Sequence, residues 1–211
     1  MKFPIIVLGG GGHARVLIDT LLELKLPLLG FTVPNPELSN ALLGVPCIGT
    51  DDAVTNYLPS AVELVNGLGS VGVPNQRKRL FQQLKEKGYH FSSVIHPAAV
   101  IGREVELSEG IQIMAGAIVQ TGSSIGNNTI VNTRASVDHD CVIGDHVHLA
   151  PGVTLSGGVK VGAEVHIGTG ATVIQGVRIG ANSIIGAGAL VLKDVPEGAT
   201  VFGVPAKEVQ L

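Results

Sequence analysis

The chain has 211 residues, a formal net charge of -3, 15% charged residues and two cysteines. Apart from the short run Arg77–Lys78–Arg79, Lys and Arg are scattered singly, which gives no basic stripe for nucleic acid or polybasic patch for anionic lipid and leaves small molecules as the expected partners. Cys47 and Cys141 lack metal-type or redox-type spacing, so they read as packed thiols in a reducing compartment rather than as a disulfide framework.

The opening MKFPIIVLGGGGH is too short in its apolar run, and too soon broken by glycine, for a secretory signal or a membrane span. A cytoplasmic protein without membrane insertion is expected. A buried strand over Ile5–Leu8 leads through a glycine turn into an amphipathic helix from about His13 to Leu24. Such a turn lets backbone N–H groups approach a phosphate at the positive end of a helix. A dinucleotide fingerprint also needs an acid about twenty residues on, and GFTVPN at 30–35 has none, which speaks against NAD. Further strands near Leu28–Thr32, Pro46–Ile48 and Ala61–Val65, with a helix over Pro74–Lys87, make an α/β domain with a small Rossmann-like parallel sheet. Its expected span is 1–90.

From GYHFSSVIHPAAVIG onward, helical spacing gives way to a period of six. Every sixth residue from Ile101 to Val191 is aliphatic, and the residue two places before each is small or β-branched. Neither a 3.6-residue nor a 2-residue repeat produces this. Short strands joined by tight turns do, three to a triangular coil of eighteen residues. Glycine directly after the aliphatic place, as at Gly102, Gly126, Gly144, Gly162, Gly168, Gly180 and Gly186, suits corners where a Cβ would crowd the turn. With 29 glycines, no Trp and 3% aromatics, residues 91–211 read as an all-β parallel β-helix of roughly five coils stacked about 4.8 Å apart.

This repeat, with its exit VFGVPAK at 201–207, resembles the hexapeptide-repeat acyltransferases, which implies a left-handed β-helix. The order GGGGH, GLGS, NQRKRLFQQL, VIHPAAV and then hexapeptide coils resembles, over the whole chain, the sugar acetyltransferases that include sialic-acid O-acetyltransferases and UDP-4-amino-sugar N-acetyltransferases. The resemblance implies acetyl-CoA as co-substrate, no metal, a nucleotide-sugar acceptor and a homotrimer with each site built from two chains. It implies that Gly11, Gly12 and His13 hold nucleotide-sugar phosphates and that Gly69 forms a further wall of that pocket. Where UDP-sugar members often carry two acids, this chain has Val33 and Pro34.

The stretch SVDHDCVIGDHVHLAPG at 136–152 concentrates the titratable chemistry. Acetyl transfer from a thioester needs a base for the proton the nucleophile sheds, and a His beside a carboxylate suits that task. By resemblance His139 is the base and Asp140 tunes it. Adjacent residues on a regular strand face opposite ways, so the pair must sit at a corner. One coil on from His139 is Gly157, whose N–H is placed to stabilise an oxyanion. By resemblance His148 contacts the thioester region, and Thr169 and Ala187, one coil apart, offer backbone contacts to the pantetheine arm. Asn132 contacts the acceptor sugar or, equally, caps a turn. His146 is expected on the surface, His166 as the neighbour of His148, and His96 at the entrance to the first coil. His139, His148 and His166 lie at different places around or along the coil, which speaks against zinc. The expected activity is N-acetylation of a nucleotide-linked amino sugar, UDP in the first instance, by direct attack. The alternatives are O-acetylation of a sialic-acid-type or other sugar hydroxyl, a non-catalytic β-helix scaffold, and a nucleotide sensor.

Overall fold

The computed structural model describes residues 3–70, 72 and 75–209. Contacts divide the chain into two compact units, residues 1–69 with 75–94 and residues 70–74 with 95–211. Among the described residues no helix is long and apolar enough to cross a membrane.

The first unit is an α/β layer structure. Strands β1 (Ile5–Leu8), β2 (Leu28–Thr32), β3 (Cys47–Gly49) and β4 (Glu63–Asn66) form a parallel sheet in the order β3-β2-β1-β4. All four residues of β1 are buried, as a central strand covered on both faces requires. Helix α1 (Gly12–Glu23) buries Ala14, Leu17, Ile18 and Leu21, the i, i+3, i+4, i+7 stripe of an amphipathic helix. Helix α2 spans Asn75–Glu86, and the Pro74 expected to start it lies outside the described residues. Ile6, Leu8, Leu64, Phe81, Leu84 and Phe91 belong to one core cluster, with the rings of Phe81 and Phe91 4.4 Å apart.

The second unit is a left-handed parallel β-helix. Two-residue strands stack into three faces. Gln112–Ile113, Ile130–Val131, His148–Leu149, His166–Ile167 and Ile184–Ile185 lie on the first face. The second carries Ile118–Val119, Ser136–Val137, Thr154–Leu155, Thr172–Val173 and Leu190–Val191. The third carries five strands, from Glu106–Leu107 to Arg178–Ile179. Each residue pairs with the one eighteen further on, as Ile130 with His148 and His148 with His166. The aliphatic series fills the interior; Val119, Val131, Leu149 and Ile167 are fully buried. Small polar side chains inside are satisfied by the corner backbone fifteen residues ahead. Thr129 Oγ1 donates to the Gly144 carbonyl at 2.9 Å and Cys141 Sγ to the Ser156 carbonyl at 3.3 Å, which keeps a buried thiol inert.

Each corner divides its demands between two positions. The glycine after the aliphatic residue meets the next coil: a Cβ on Gly162 would lie 2.5 Å from the Ala181 backbone nitrogen. Two places later the backbone turns through positive φ, at glycine in about half of the corners and otherwise at Glu104, Asn128, Arg134, Asp140, His146, Glu164 and Asn182. The bend therefore sits two residues beyond the glycines that mark it in the sequence. His146 is not a surface residue: it is 8% exposed, with Asn128 Nδ2 2.9 Å from its Nδ1.

The two demands differ in cost. Gly162→Ala drives a Cβ into fixed backbone and is expected to cost about 3 kcal/mol, near the upper end of overpacking penalties. Gly176→Ala, at φ +73 with nothing within 4 Å of its Cβ, is expected to cost only about 1 kcal/mol. Chemical denaturation at one fixed protein concentration checks the order; equal losses would contradict it.

Candidate active site

His139 and Asp140 occupy the turn between the second face (Ser136–Val137) and the third (Val142–Ile143). Asp140 has φ +58, and this left-handed bend turns two consecutive side chains toward one another. His139 Nδ1 lies 2.8 Å from Asp140 Oδ2. The His139 N–H donates to Asp138 Oδ1 at 2.8 Å, which fixes the start of the turn. The Asp140 hydrogen bond, and then the charge of Asp138, hold the imidazole pKa above its ordinary 6.5. The side chains of His139 and Asp140 are 51% and 72% exposed, so the pair is open to a ligand. With Nδ1–H donated to Asp140, Nε2 is the nitrogen left to accept a proton.

Gly157 lies one coil on, and the imidazole rests on it: a Cβ there would come 2.5 Å from His139 Nε2. The backbone ladder runs through the amides of Ser156 and Gly158 and passes over that of Gly157.

The first face carries a second constellation, around a cavity of about 570 Å³ lined by His148, His166, Thr169, Ala187, Ser70 and Phe202 among others. His148 Nδ1 lies 3.0 Å from the Ser70 carbonyl oxygen and 2.9 Å from its Oγ. A carbonyl only accepts, so the proton is on Nδ1, and Nε2 accepts from Asn132 Nδ2 at 3.1 Å. Asn132 Oδ1 takes the Thr133 N–H at 2.7 Å, which fixes the amide orientation. Asn132 thus caps its own turn and orients His148. The His166 ring meets that of His148 edge-on, with centroids 5.1 Å apart. The ladder runs through the amides of Gly168, Gly170, Gly186 and Gly188 and passes over those of Thr169 and Ala187. His96 Nδ1 accepts the Ala98 N–H at 3.0 Å and shapes the entry to the first coil. His139, on a corner, and His148, on the first face, are not brought together within one chain. Among the described residues no three His, Cys, Asp or Glu side chains cluster as a metal set.

In the first unit, Gly11 caps α1 without a side-chain bond, and a Cβ on Gly11 or Gly12 would meet nothing within 4 Å. The helix N-terminus is therefore accessible to an anion. A Cβ on Gly69 would lie 3.4 Å from the Cβ of His13, so the NGLGS segment stands against the start of α1. Two contributors have no motif in the sequence. Arg77, 2% exposed on a helix otherwise rich in solvent-type residues, donates through Nη1 to the carbonyls of Asn66 at 2.6 Å and Leu68 at 2.7 Å. It pins the loop after β4, and burial lowers its pKa to about 9, which leaves it charged at neutral pH. Asp51 accepts from Thr32 Oγ1 at 2.5 Å and, with Asp52, Pro34, Gly9, Leu68 and Arg79, lines a cavity of about 240 Å³.

Comparison with known proteins agrees with both units. Residues 4–84 match the PglD N-terminal domain, and residues 122–157 and 158–193 match the bacterial transferase hexapeptide (six repeats). GDP-perosamine N-acetyltransferase of Escherichia coli O157:H7 is 31% identical over 157 residues, which is 74% of this chain and 71% of that one. A histidine-to-asparagine variant of perosamine N-acetyltransferase from Caulobacter crescentus, solved with CoA and GDP-perosamine, is 38% identical with a TM-score of 0.91, covering 98% of this chain and 97% of the other. The acetyltransferase domain of PglB from Neisseria gonorrhoeae FA1090, solved with acetyl coenzyme A, is 33% identical with a TM-score of 0.92, covering 99% of this chain and all (100%) of that one. A whole-length likeness at these identities, together with the coils and the His139–Asp140 corner, places the chain in the family of acetyl-CoA-dependent, hexapeptide-repeat sugar N-acetyltransferases.

Proposed function

We propose that this protein transfers the acetyl group of acetyl-CoA to the amino group of a nucleotide-linked amino sugar, with His139 as general base. The observation that carries this is the solvent-open His139, tied through Nδ1 to Asp140 and seated over the uncommitted amide of Gly157. The acceptor amine attacks the thioester carbonyl carbon. As the C–N bond forms, the amine proton passes to His139 Nε2. The Gly157 N–H steadies the oxyanion until the C–S bond breaks, and the imidazolium then returns its proton to the departing thiolate of CoA. No acyl-enzyme is required.

Acetyl-CoA is assigned to the first-face cavity, with the amides of Thr169 and Ala187 toward its pantetheine arm. The nucleotide diphosphate is assigned to Gly11, Gly12, His13 and Gly69. GDP is favoured over UDP, because two of the relatives carry GDP-perosamine in their names or crystals. The carboxylates of Asp51 and Asp52 beside Pro34 also suit a base presenting several N–H donors. Since His139 and the first-face cavity lie on different parts of the prism, the reaction is assigned to the seam between neighbouring chains of a cytoplasmic homotrimer.

Thiol release from acetyl-CoA is expected with GDP-linked amino sugars and more weakly, or not at all, with UDP- and dTDP-linked ones. His139→Asn should lower kcat by roughly 10²- to 10⁴-fold while leaving CoA binding intact. Preference for a sialic-acid hydroxyl, or unchanged turnover in the variant, would overturn the assignment.

The base must be neutral to act, so kcat/KM should fall as pH drops through the His139 pKa, which lies above the ordinary 6.5. Asp140→Asn removes the largest cause of that elevation and should move the acidic limb to lower pH as well as reduce the plateau rate. An acidic limb that stays in place would show that another group sets it.

A further inference from the structure

The first-face cavity contains two imidazoles, and their surroundings assign them different tasks. Both ring nitrogens of His148 are engaged by the chain itself, Nδ1 by Ser70 and Nε2 by Asn132. His166, directly above it in the next coil, is 9% exposed. Its Nδ1 is sealed from solvent and has no hydrogen-bond partner among the described residues, and the residue lines the cavity. A buried N–H without a partner is costlier than a bare acceptor nitrogen, so the proton belongs on Nε2, facing the cavity. Burial also lowers the His166 pKa, which keeps the ring neutral.

The rest of the cavity defines what that donor meets. Among the described residues its lining contains no Lys, Arg, Asp or Glu. Ile184, Ile185, Phe202 and Pro151 make its walls apolar, and the amides passed over by the ladder, at Thr169 and Ala187, are donors. A charged diphosphate has no counter-ion there. A neutral, extended chain with amide carbonyl acceptors matches both the walls and the donors. We propose that His166, through its Nε2–H, is the imidazole that binds an amide carbonyl of the co-substrate's pantetheine arm, and that His148 is a positioning residue that fastens Ser70 and Asn132 around the cavity. This rests on the assignment of acetyl-CoA to this cavity.

The test is CoA binding by titration calorimetry to the full-length protein without acceptor. His166→Phe, which keeps the ring shape and removes the donor, should weaken the CoA Kd about three- to tenfold, the value of one hydrogen bond, with GDP-sugar binding unchanged. His166→Gln, which restores an N–H at similar reach, should recover most of the loss. Equal CoA affinity in wild type and His166→Phe would overturn the role of His166 while leaving the acetyl-CoA assignment standing. Failure of the wild type to bind CoA would overturn both. Should the phenylalanine variant not fold, ¹⁵N-histidine-labelled wild type gives the same answer. The His166 Nε2 proton should move downfield and exchange more slowly when CoA is added, and an unmoved resonance would overturn the proposal.

Discussion

A hydrogen bond of 2.8 Å between two consecutive side chains, His139 and Asp140, is the interaction on which the proposed chemistry depends, and a regular strand forbids it. The β-helix permits it because each coil must bend three times, and each bend includes a residue in the left-handed region. At about half of the corners glycine takes that place; here Asp140 does, at φ +58. A non-glycine residue in this conformation costs roughly 1 to 2 kcal/mol, offset by the coils stacked above and below. The strain brings a carboxylate to Nδ1 and leaves Nε2 facing out of the prism.

The eighteen-residue repeat then supplies what the pair needs. It sets Gly157 beneath the imidazole, so that an amide with no backbone partner among the described residues stands near the ring. It stacks His166 on His148 and Ala187 on Thr169 along another part of the prism, where the groups are neutral donors in apolar walls. In the first unit the N-terminus of α1 has no side-chain cap, and Asp51 and Asp52 line a separate cavity. The proposed function thus separates a neutral groove from a site for a charged nucleotide. The same geometry makes the β-helix intolerant of a single methyl group at Gly162, because backbones of successive coils touch there.

The β-helix was legible in the sequence because its constraint is periodic: one aliphatic residue every six fills a triangular interior, and no other arrangement uses that spacing. The sheet of the first unit was legible from Ile5–Leu8 and the glycine turn for the same local reasons. Contacts that depend on distant residues were not. Arg77 sits in NQRKRLFQQL like a solvent-facing cation, and only the end of β4 and the loop after it, whose carbonyls at Asn66 and Leu68 lie 11 and 9 residues before it in sequence, make it a buried staple. His148 meets Ser70 seventy-eight residues away, so neither its tautomer nor its engagement with Asn132 could be read from HVHLAPG. His146 was expected on the surface, yet it is buried beside Asn128, at a corner whose bend falls two residues later than the marking glycine. Asp51 escaped notice because the acids were sought directly after β2, whereas a short 3₁₀ helix brings them to Pro34 from elsewhere.

The protonation of one ring tests this most directly. In ¹⁵N-labelled protein above the His139 pKa, the Asp140 contact predicts a single neutral tautomer with the proton on Nδ1 and a bare Nε2, lost in favour of a mixture when Asp140 is replaced by Asn. A wild-type ring protonated on Nε2, or exchanging evenly between tautomers, would mean that the corner does not prepare a base and would contradict the mechanism built on it.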